Sequence, residues 1–226
     1  MATSLSLQAV LFDLDGTLID TAPDFAVVVN RLLKNHGKAE LPYSAIRATV
    51  SHGARALVTL AFDLREGDDG FDALRQELLD LYGQHLSVNT ALFPGMDALL
   101  LWLDSCNIPW GIVTNKPRRY AEPIVADLRL SERCSVMVCP DDVSHTKPDP
   151  EPMFLACEQL GCDAERTLYI GDHRRDIDAG KNAGMKTIAV NYGYIEADDP
   201  AENWQADFYV DHASDIQTLL SQHFSC

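Results

Sequence analysis

VLFDLDGTLID, residues 10–20, begins as an unbroken apolar run and breaks into Asp13-Leu14-Asp15-Gly16-Thr17. A run without polar alternation, Ala9–Phe12, is the pattern of a strand buried on both faces, as in a parallel sheet. The same grammar recurs at Trp110–Val113, Val136–Val138, Leu168–Ile170 and Thr187–Val190, with a weaker strand at Phe208–Val210. Helical patterns separate these runs, near residues 95–105, 119–129, 150–161 and 175–184, and a last one falls near 213–223. Strands alternating with helices predict an α/β fold: a Rossmann-like parallel sheet core with helices on both faces.

The alternation lapses between residues 21 and 90. Phe25, Val28, Val29, Leu32 and Leu33 follow helical spacing, with Gly37 as a stop. Phe71, Leu74, Leu78, Leu81 and Leu86 are read as a second helix, begun after the turn-like Glu66–Gly70. A stretch this long exceeds a crossover connection, so the expected organisation is a core of residues 1–20 plus 91–226 and an inserted all-helical domain, 21–90. Phe93-Pro94-Gly95 reads as the return hinge.

The 226 residues are 46% hydrophobic and 23% charged, enough apolar material for a real core. With 18 Lys and Arg against 34 Asp and Glu, the net charge is −16. That field repels nucleic acids and anionic lipid surfaces, so neither is an expected partner. No apolar run nears the ~20 residues that span a bilayer, and MATSLSLQAVLFDLDG does not read as a secretion signal. The expectation is a soluble, cytoplasmic chain. Six cysteines, at 106, 134, 139, 157, 162 and 226, form two C-x4-C pairs but no C-x-x-C, and are read as reduced, small apolar residues rather than zinc ligands.

In such a sheet, ligands bind at the carboxyl ends of the strands. The first run ends in Asp13 and Asp15, the second in Thr114-Asn115-Lys116, and the third is followed by Lys147. The fourth ends in Gly171-Asp172, with Asp176 four residues on. Asp13 and Asp15, two apart in extended chain, point to one side, and Asp172 and Asp176 can share a face at a helix start. Carboxylates crowd together when a cation offsets their repulsion, and an all-oxygen set suits Mg²⁺. Lys147 and the Thr114 hydroxyl are the matching phosphate ligands, and a carboxylate nucleophile completes the inventory.

VLFDLDGTLID, VTNK, the lysine of KPDPEP and GDHRRD resemble, in order and spacing, the four motifs of the haloacid dehalogenase superfamily. The resemblance extends over the whole chain, because a helical cap inserted after the first motif is a family feature, and there the cap chooses the substrate. It implies a Mg²⁺-dependent phosphatase with Asp13 as nucleophile and Asp15 as general acid, then base. It also implies Thr114, Asn115 and Lys147 as phosphate ligands. Metal ligation would come from Asp13, the Asp15 main-chain carbonyl and Asp172, supported by Asp176. An aspartate at position 15 sets the chain apart from dehalogenases, which lack an acid there.

Within the superfamily the chain looks like the phosphoglycolate phosphatases. SHGARALV, WGIVTNKPRRYAEPI, VCPDDVSHTKPDPEP and the late YGYI are similar to a neighbouring branch that hydrolyses N-acetylmuramic acid 6-phosphate in bacterial cell-wall recycling. On that resemblance His52, Gly53 and Arg55 contact the substrate, a small-molecule phosphate ester, in a monomer or homodimer. Two of these also have a bland reading, Arg55 as a solvated helix residue and His52 as a turn or cap-packing histidine. Lys116, Arg118 and Arg119 are left between site entrance and solvated surface, and His145 and His173 outside the catalytic set. The alternatives are 2-phosphoglycolate as substrate, a sugar phosphomutase on the same core, and a catalytically idle binding module.

Overall fold

The computed structural model describes residues 5–225, so Cys226 and the first four residues lie outside the described residues. The chain forms two compact units: one runs up to Ile19 and resumes at Leu92, the other is Asp20–Ala91.

The first unit is built on six strands: β1 (Ala9–Phe12), β2 (Trp110–Val113), β3 (Val136–Val138), β4 (Thr167–Gly171), β5 (Lys186–Val190) and β6 (Phe208–Val210). All pair in parallel, in the order β3-β2-β1-β4-β5-β6. Val10 sits between Trp110 and Leu168, and Phe12 between Ile112 and Ile170. Every residue of β1, β2 and β4 is buried, which is why these strands read as continuous apolar runs. Beyond the expected strands, Leu5–Ser6 and Phe224–Ser225 pair as a separate two-stranded ribbon.

Among the described residues this unit has five α-helices: α5 (Met96–Ser105), α6 (Arg118–Asp127), α7 (Glu151–Leu160), α8 (Arg174–Asn182) and α9 (Ala213–His223). Alternate strand residues serve opposite faces. Leu11, Val113 and Tyr169 pack with Met153, Ala156 and Ala179 of α7 and α8. Phe12 and Trp110, of the other parity, meet edge to face with centroids 6.4 Å apart. The strand order reverses beside β1, where β2 and β4 flank it, and such a reversal opens a crevice at the strands' carboxyl ends.

The second unit is helical: α1 (Ala22–Asn35), α2 (Tyr43–Arg47), α3 (Gly53–Phe62) and α4 (Phe71–Gly83). Phe25, Val28, Val29, Leu32 and Leu33 are the buried stripe of α1. Phe25 stacks on Tyr82 of α4, with centroids 4.1 Å apart. Leu86 is a correction to the sequence reading, since α4 ends at Gly83. Its spacing of five from Leu81 is neither three nor four and falls off the helix stripe.

Asp24, in the first turn of α1, is fully buried. Its carboxylate accepts the amides of Asn89 and Thr90 at 2.8 and 2.9 Å, the Asn89 side-chain amide at 2.8 Å and the Thr90 hydroxyl at 2.7 Å. One side chain thus ties the end of the unit's chain to the helix that begins it. Replacing it with alanine leaves four donors unpaired, a loss of about 3 kcal/mol. Asp24→Ala is expected to lower Tm by roughly 6–10 °C, with faster amide exchange at Asn89 and Thr90. Unchanged exchange at those amides would refute the tie.

Candidate active site

Loop 13–19 at the end of β1 is tightly wound. The amide of Asp13 still follows the sheet, donating to Ile170 O at 2.9 Å, while Leu18 and Ile19 both donate to Leu14 O. Gly16 has φ 88°, and a Cβ there would lie 2.0 Å from Asp172 Oδ2. Only glycine allows this turn and this approach. The Thr17 hydroxyl then donates to Asp172 Oδ1 at 3.1 Å, and the Tyr194 amide to Asp172 Oδ2 at 2.8 Å. Asp172 is thereby fixed from two loops.

Asp13, Asp172 and Asp176 are all buried, and one carboxylate oxygen from each lies within 4.8 Å of the others. Lys147 stands among them. Its Nζ donates to Asp13 Oδ1 and Asp176 Oδ1, both at 2.7 Å, and contacts Tyr169 Oη at 2.8 Å and Val113 O at 2.9 Å. The Tyr169 hydroxyl donates its own proton to Val113 O, leaving its oxygen free to accept from the ammonium. Asp176 is the third residue of α8 and also accepts the His173 amide at 3.1 Å, as a first-turn acid should.

The electrostatics follow from this crowding. The Asp13 carboxyl is raised to about 6: burial pushes it up most, Lys147 pulls it back, and the charges of Asp176 and Asp15 add to the rise. Burial, then the charges of Asp13 and Asp176, hold Asp172 well above the usual carboxylate range against the Tyr194 and Thr17 donors. Burial lowers the Lys147 pKa, but Asp13 and Asp176 outweigh it and the net shift is upward. Lys147 is therefore a cation at neutral pH. Three carboxylates against one ammonium leave excess negative charge in a buried place, and the donors are all oxygen. That set fits a hard divalent cation.

The other site residues fall into two groups. Thr114 is buried; its Oγ1 accepts the Lys116 amide at 3.1 Å, which leaves the hydroxyl hydrogen to donate. Asn115 faces Lys147 instead: its Nδ2 donates to Lys147 O at 3.0 Å and its Oδ1 accepts the Lys147 amide at 3.2 Å. The asparagine therefore clamps the lysine's backbone. Asp15 is outside the three-carboxylate cluster, with its Oδ1 accepting from Lys116 Nζ at 2.9 Å. Lys116 is 8% exposed and belongs to the site, not to the solvated surface.

Arg118 is held by Met137 O and Asp142, at 2.9 and 2.5 Å. Arg119 lies over the Tyr120 ring. His145 meets Glu151 at 3.1 Å, and His173 caps α8 by accepting the Arg175 amide. In the helical unit His52 and Arg55 are exposed, and Arg55 Nη1 is 3.4 Å from Glu66 Oε2. Gly53, with φ 72°, begins α3.

Thr17, Tyr169 and Tyr194 were given no role in the sequence reading, and Lys116 was left undecided. Tyr194 had a usable signal, because Asn191-Tyr192-Gly193-Tyr194 follows the fifth apolar run as the other motifs follow theirs. The Tyr192 hydroxyl also reaches this loop, donating to Thr17 O at 3.0 Å.

Comparison with known proteins agrees with this geometry. Over 218 residues the chain is 47% identical to the N-acetylmuramic acid 6-phosphate phosphatase of Pseudomonas aeruginosa, covering 96% of each. It is 39% identical over 204 residues to a phosphoglycolate phosphatase of Xanthomonas campestris pv. campestris, covering 90% of this chain and 92% of the relative. The crystal structure of a predicted phosphoglycolate phosphatase from Haemophilus somnus superposes with a TM-score of 0.84 at 26% identity, covering 97% of this chain and 99% of that one. The haloacid dehalogenase-like hydrolase family matches residues 10–190, from the first strand to the last residue of β5. The chain belongs to that family of hydrolases.

Proposed function

We propose that this chain is a phosphomonoesterase whose substrate is N-acetylmuramic acid 6-phosphate, acting through an aspartyl-phosphate on Asp13. The observation that carries the reading is the Lys147 ammonium, buried and in contact with both Asp13 and Asp176. It places a fixed positive charge beside the nucleophile, where phosphoryl charge develops. The identity to a phosphatase of that substrate over 96% of the chain supports the choice of ester.

Asp13, ionised above about pH 6, attacks phosphorus in line. The new Oδ–P bond forms as the ester P–O bond breaks, and Asp15 protonates the departing alkoxide. In the second half Asp15 takes a proton from water, whose oxygen attacks phosphorus and frees Asp13 and inorganic phosphate. Lys116 fixes where the Asp15 carboxylate sits, and Asn115 fixes the lysine loop. Thr114 and Lys147 hold phosphoryl oxygens. Asp13, the Asp15 main-chain carbonyl and Asp172 would hold Mg²⁺, with Asp176 supporting them; the ion would neutralise charge on the phosphoryl group. The helical unit would select the substrate through His52, Gly53 and Arg55. Among the described residues no helix is long and apolar enough to cross a membrane. A cytoplasmic location is part of the proposal.

The test is kcat/KM with Mg²⁺ for N-acetylmuramic acid 6-phosphate and 2-phosphoglycolate side by side. The expected preference for the sugar phosphate is about 100-fold, the scale that pocket contacts supply. Arg55→Ala is expected to reduce that preference roughly tenfold while p-nitrophenyl phosphate hydrolysis stays within about twofold. A preference for phosphoglycolate, which the Xanthomonas relative's name favours, would replace the substrate and keep the chemistry. A phosphomutase would release no free phosphate without a bisphosphate activator. A binding module would hydrolyse none of the three esters.

A further inference from the structure

At the end of the sheet remote from Asp13, α7 closes in a way that brings two thiols together. Gly161 takes the left-handed conformation, φ 66° and ψ 37°, just past the helix. Its amide donates to Glu158 O at 3.2 Å, and the Cys162 amide donates to Cys157 O at 3.1 Å. These are the two bonds of a Schellman ending, a geometry in which the side chains of the bonded outer residues meet. Here those residues are Cys157 and Cys162.

A third side chain confirms the meeting. Thr167 Oγ1 lies 3.3 Å from Cys162 Sγ, and Cys157 Sγ donates to the same oxygen at 3.9 Å. The threonine's own proton goes to Asp163 O at 2.9 Å, so its oxygen accepts from the thiols. Thr167 opens β4, while Gly171 closes that strand beside Asp172. Four strand residues put the pair about 13 Å from the carboxylates. The direct N–H···O=C bond between the two residues holds their backbones at the close separation a disulfide requires.

We propose that Cys157 and Cys162 are a redox modification site, oxidised to an intramolecular disulfide by a small disulfide such as oxidised glutathione. Cys162 is half-buried and meets the oxidant first; Cys157 is 6% exposed. Cys162 gives its proton to solvent, its thiolate attacks one oxidant sulfur, and the oxidant's S–S bond breaks to release one glutathione thiolate. Cys157 then loses its proton and attacks Cys162 Sγ, expelling the second glutathione. Two protein thiols are oxidised by two electrons, and one disulfide is reduced to two thiols. Burial, with the Cys162 thiol adding to it, pushes the Cys157 thiol up to about 12, so Cys157 does not start the reaction and its attack, through a small thiolate fraction held close to Cys162, is the slower second step. The other described thiols are placed differently: Cys134, for example, donates to Val136 O at 3.1 Å.

The experiment incubates the full chain with oxidised glutathione at neutral pH and follows intact and peptide masses. Expected is a species lighter by two hydrogens, with a 157–162 crosslink that dithiothreitol reverses. Cys157→Ser is expected to trap glutathione on Cys162, and Cys162→Ser to abolish the crosslink. Oxidation closes a loop of only a few residues, so Tm should rise by about 2–6 °C. Glutathione retained on Cys162 of the unsubstituted chain, two thiols that both stay alkylatable, or a crosslink to another cysteine would each overturn the proposal. None of these readouts depends on which phosphate ester the enzyme hydrolyses.

Discussion

Asp13→Asn is expected to cut phosphate release by about 10⁴-fold or more, because the proposed covalent bond is made by the Asp13 carboxylate and an amide is a far weaker nucleophile. The amide is nearly isosteric and its oxygen can still accept from Lys147 Nζ, now 2.7 Å from Asp13 Oδ1. The fold should survive, so the Tm of the variant should stay within a few degrees of the parent. Rapid quenching of the parent with substrate should trap one phosphoryl group on the peptide containing Asp13, and the variant should trap none. This pairing matters because Asp13 and Asp172 both belong to the carboxylate cluster, so a fall in rate alone would not separate nucleophile from metal ligand. The discriminating observation is the label. If it appeared on Asp172 or Asp176, or if the variant kept more than about 1% of the rate, the assignment of Asp13 as nucleophile would be sunk.

What could be read from the chain follows physical lines. Six strands were legible because a buried parallel strand needs apolar residues on both faces, and the runs at Ala9–Phe12 and Trp110–Val113 show it without interruption. Asp13, Lys147, Asp172 and Asp176 were legible as one group because the parallel topology carries strand ends to a common edge. Tyr169 was not. It sits mid-strand among Leu168 and Ile170 and looks like another core aromatic, while its hydroxyl contacts the lysine. Lys116 was undecidable because one lysine after a strand reads alike whether it meets Asp15 or water. The five-residue helix Tyr43–Arg47 is too short for periodicity, and two-residue ribbons such as Leu5–Ser6 carry no pattern. Asn115 stood beside the right residues, but no spacing in the sequence signals that both ends of its amide hold the Lys147 backbone.

Lys147→Met should produce the largest combined effect on stability and activity. Methionine matches the stem's volume but brings no charge and no donor, so Asp13 and Asp176 lose their shared partner inside the protein. Removing one member of a buried ion cluster costs about 3–5 kcal/mol, because the remaining charges stay buried and uncompensated. At pH 7.5, in chelator, Tm should fall by about 10 °C, and kcat with Mg²⁺ restored should fall by about 10²–10³-fold. The pH dependence separates charge from packing. Asp13 already titrates above its ordinary value, at about 6, because burial outweighs the lysine. A carboxyl raised in the folded state favours folding when protonated, and that contribution disappears as pH rises through the folded value. Without Lys147 the folded value climbs further, so the variant suffers most where the parent's Asp13 is ionised. The Tm deficit should therefore be clearly larger at pH 7.5 than at pH 5, while the lysine itself, with its pKa raised, stays charged in the parent throughout. A deficit of equal size at both pH values would mean that Lys147 serves the fold through packing. The electrostatic argument for its place beside the nucleophile would then fail.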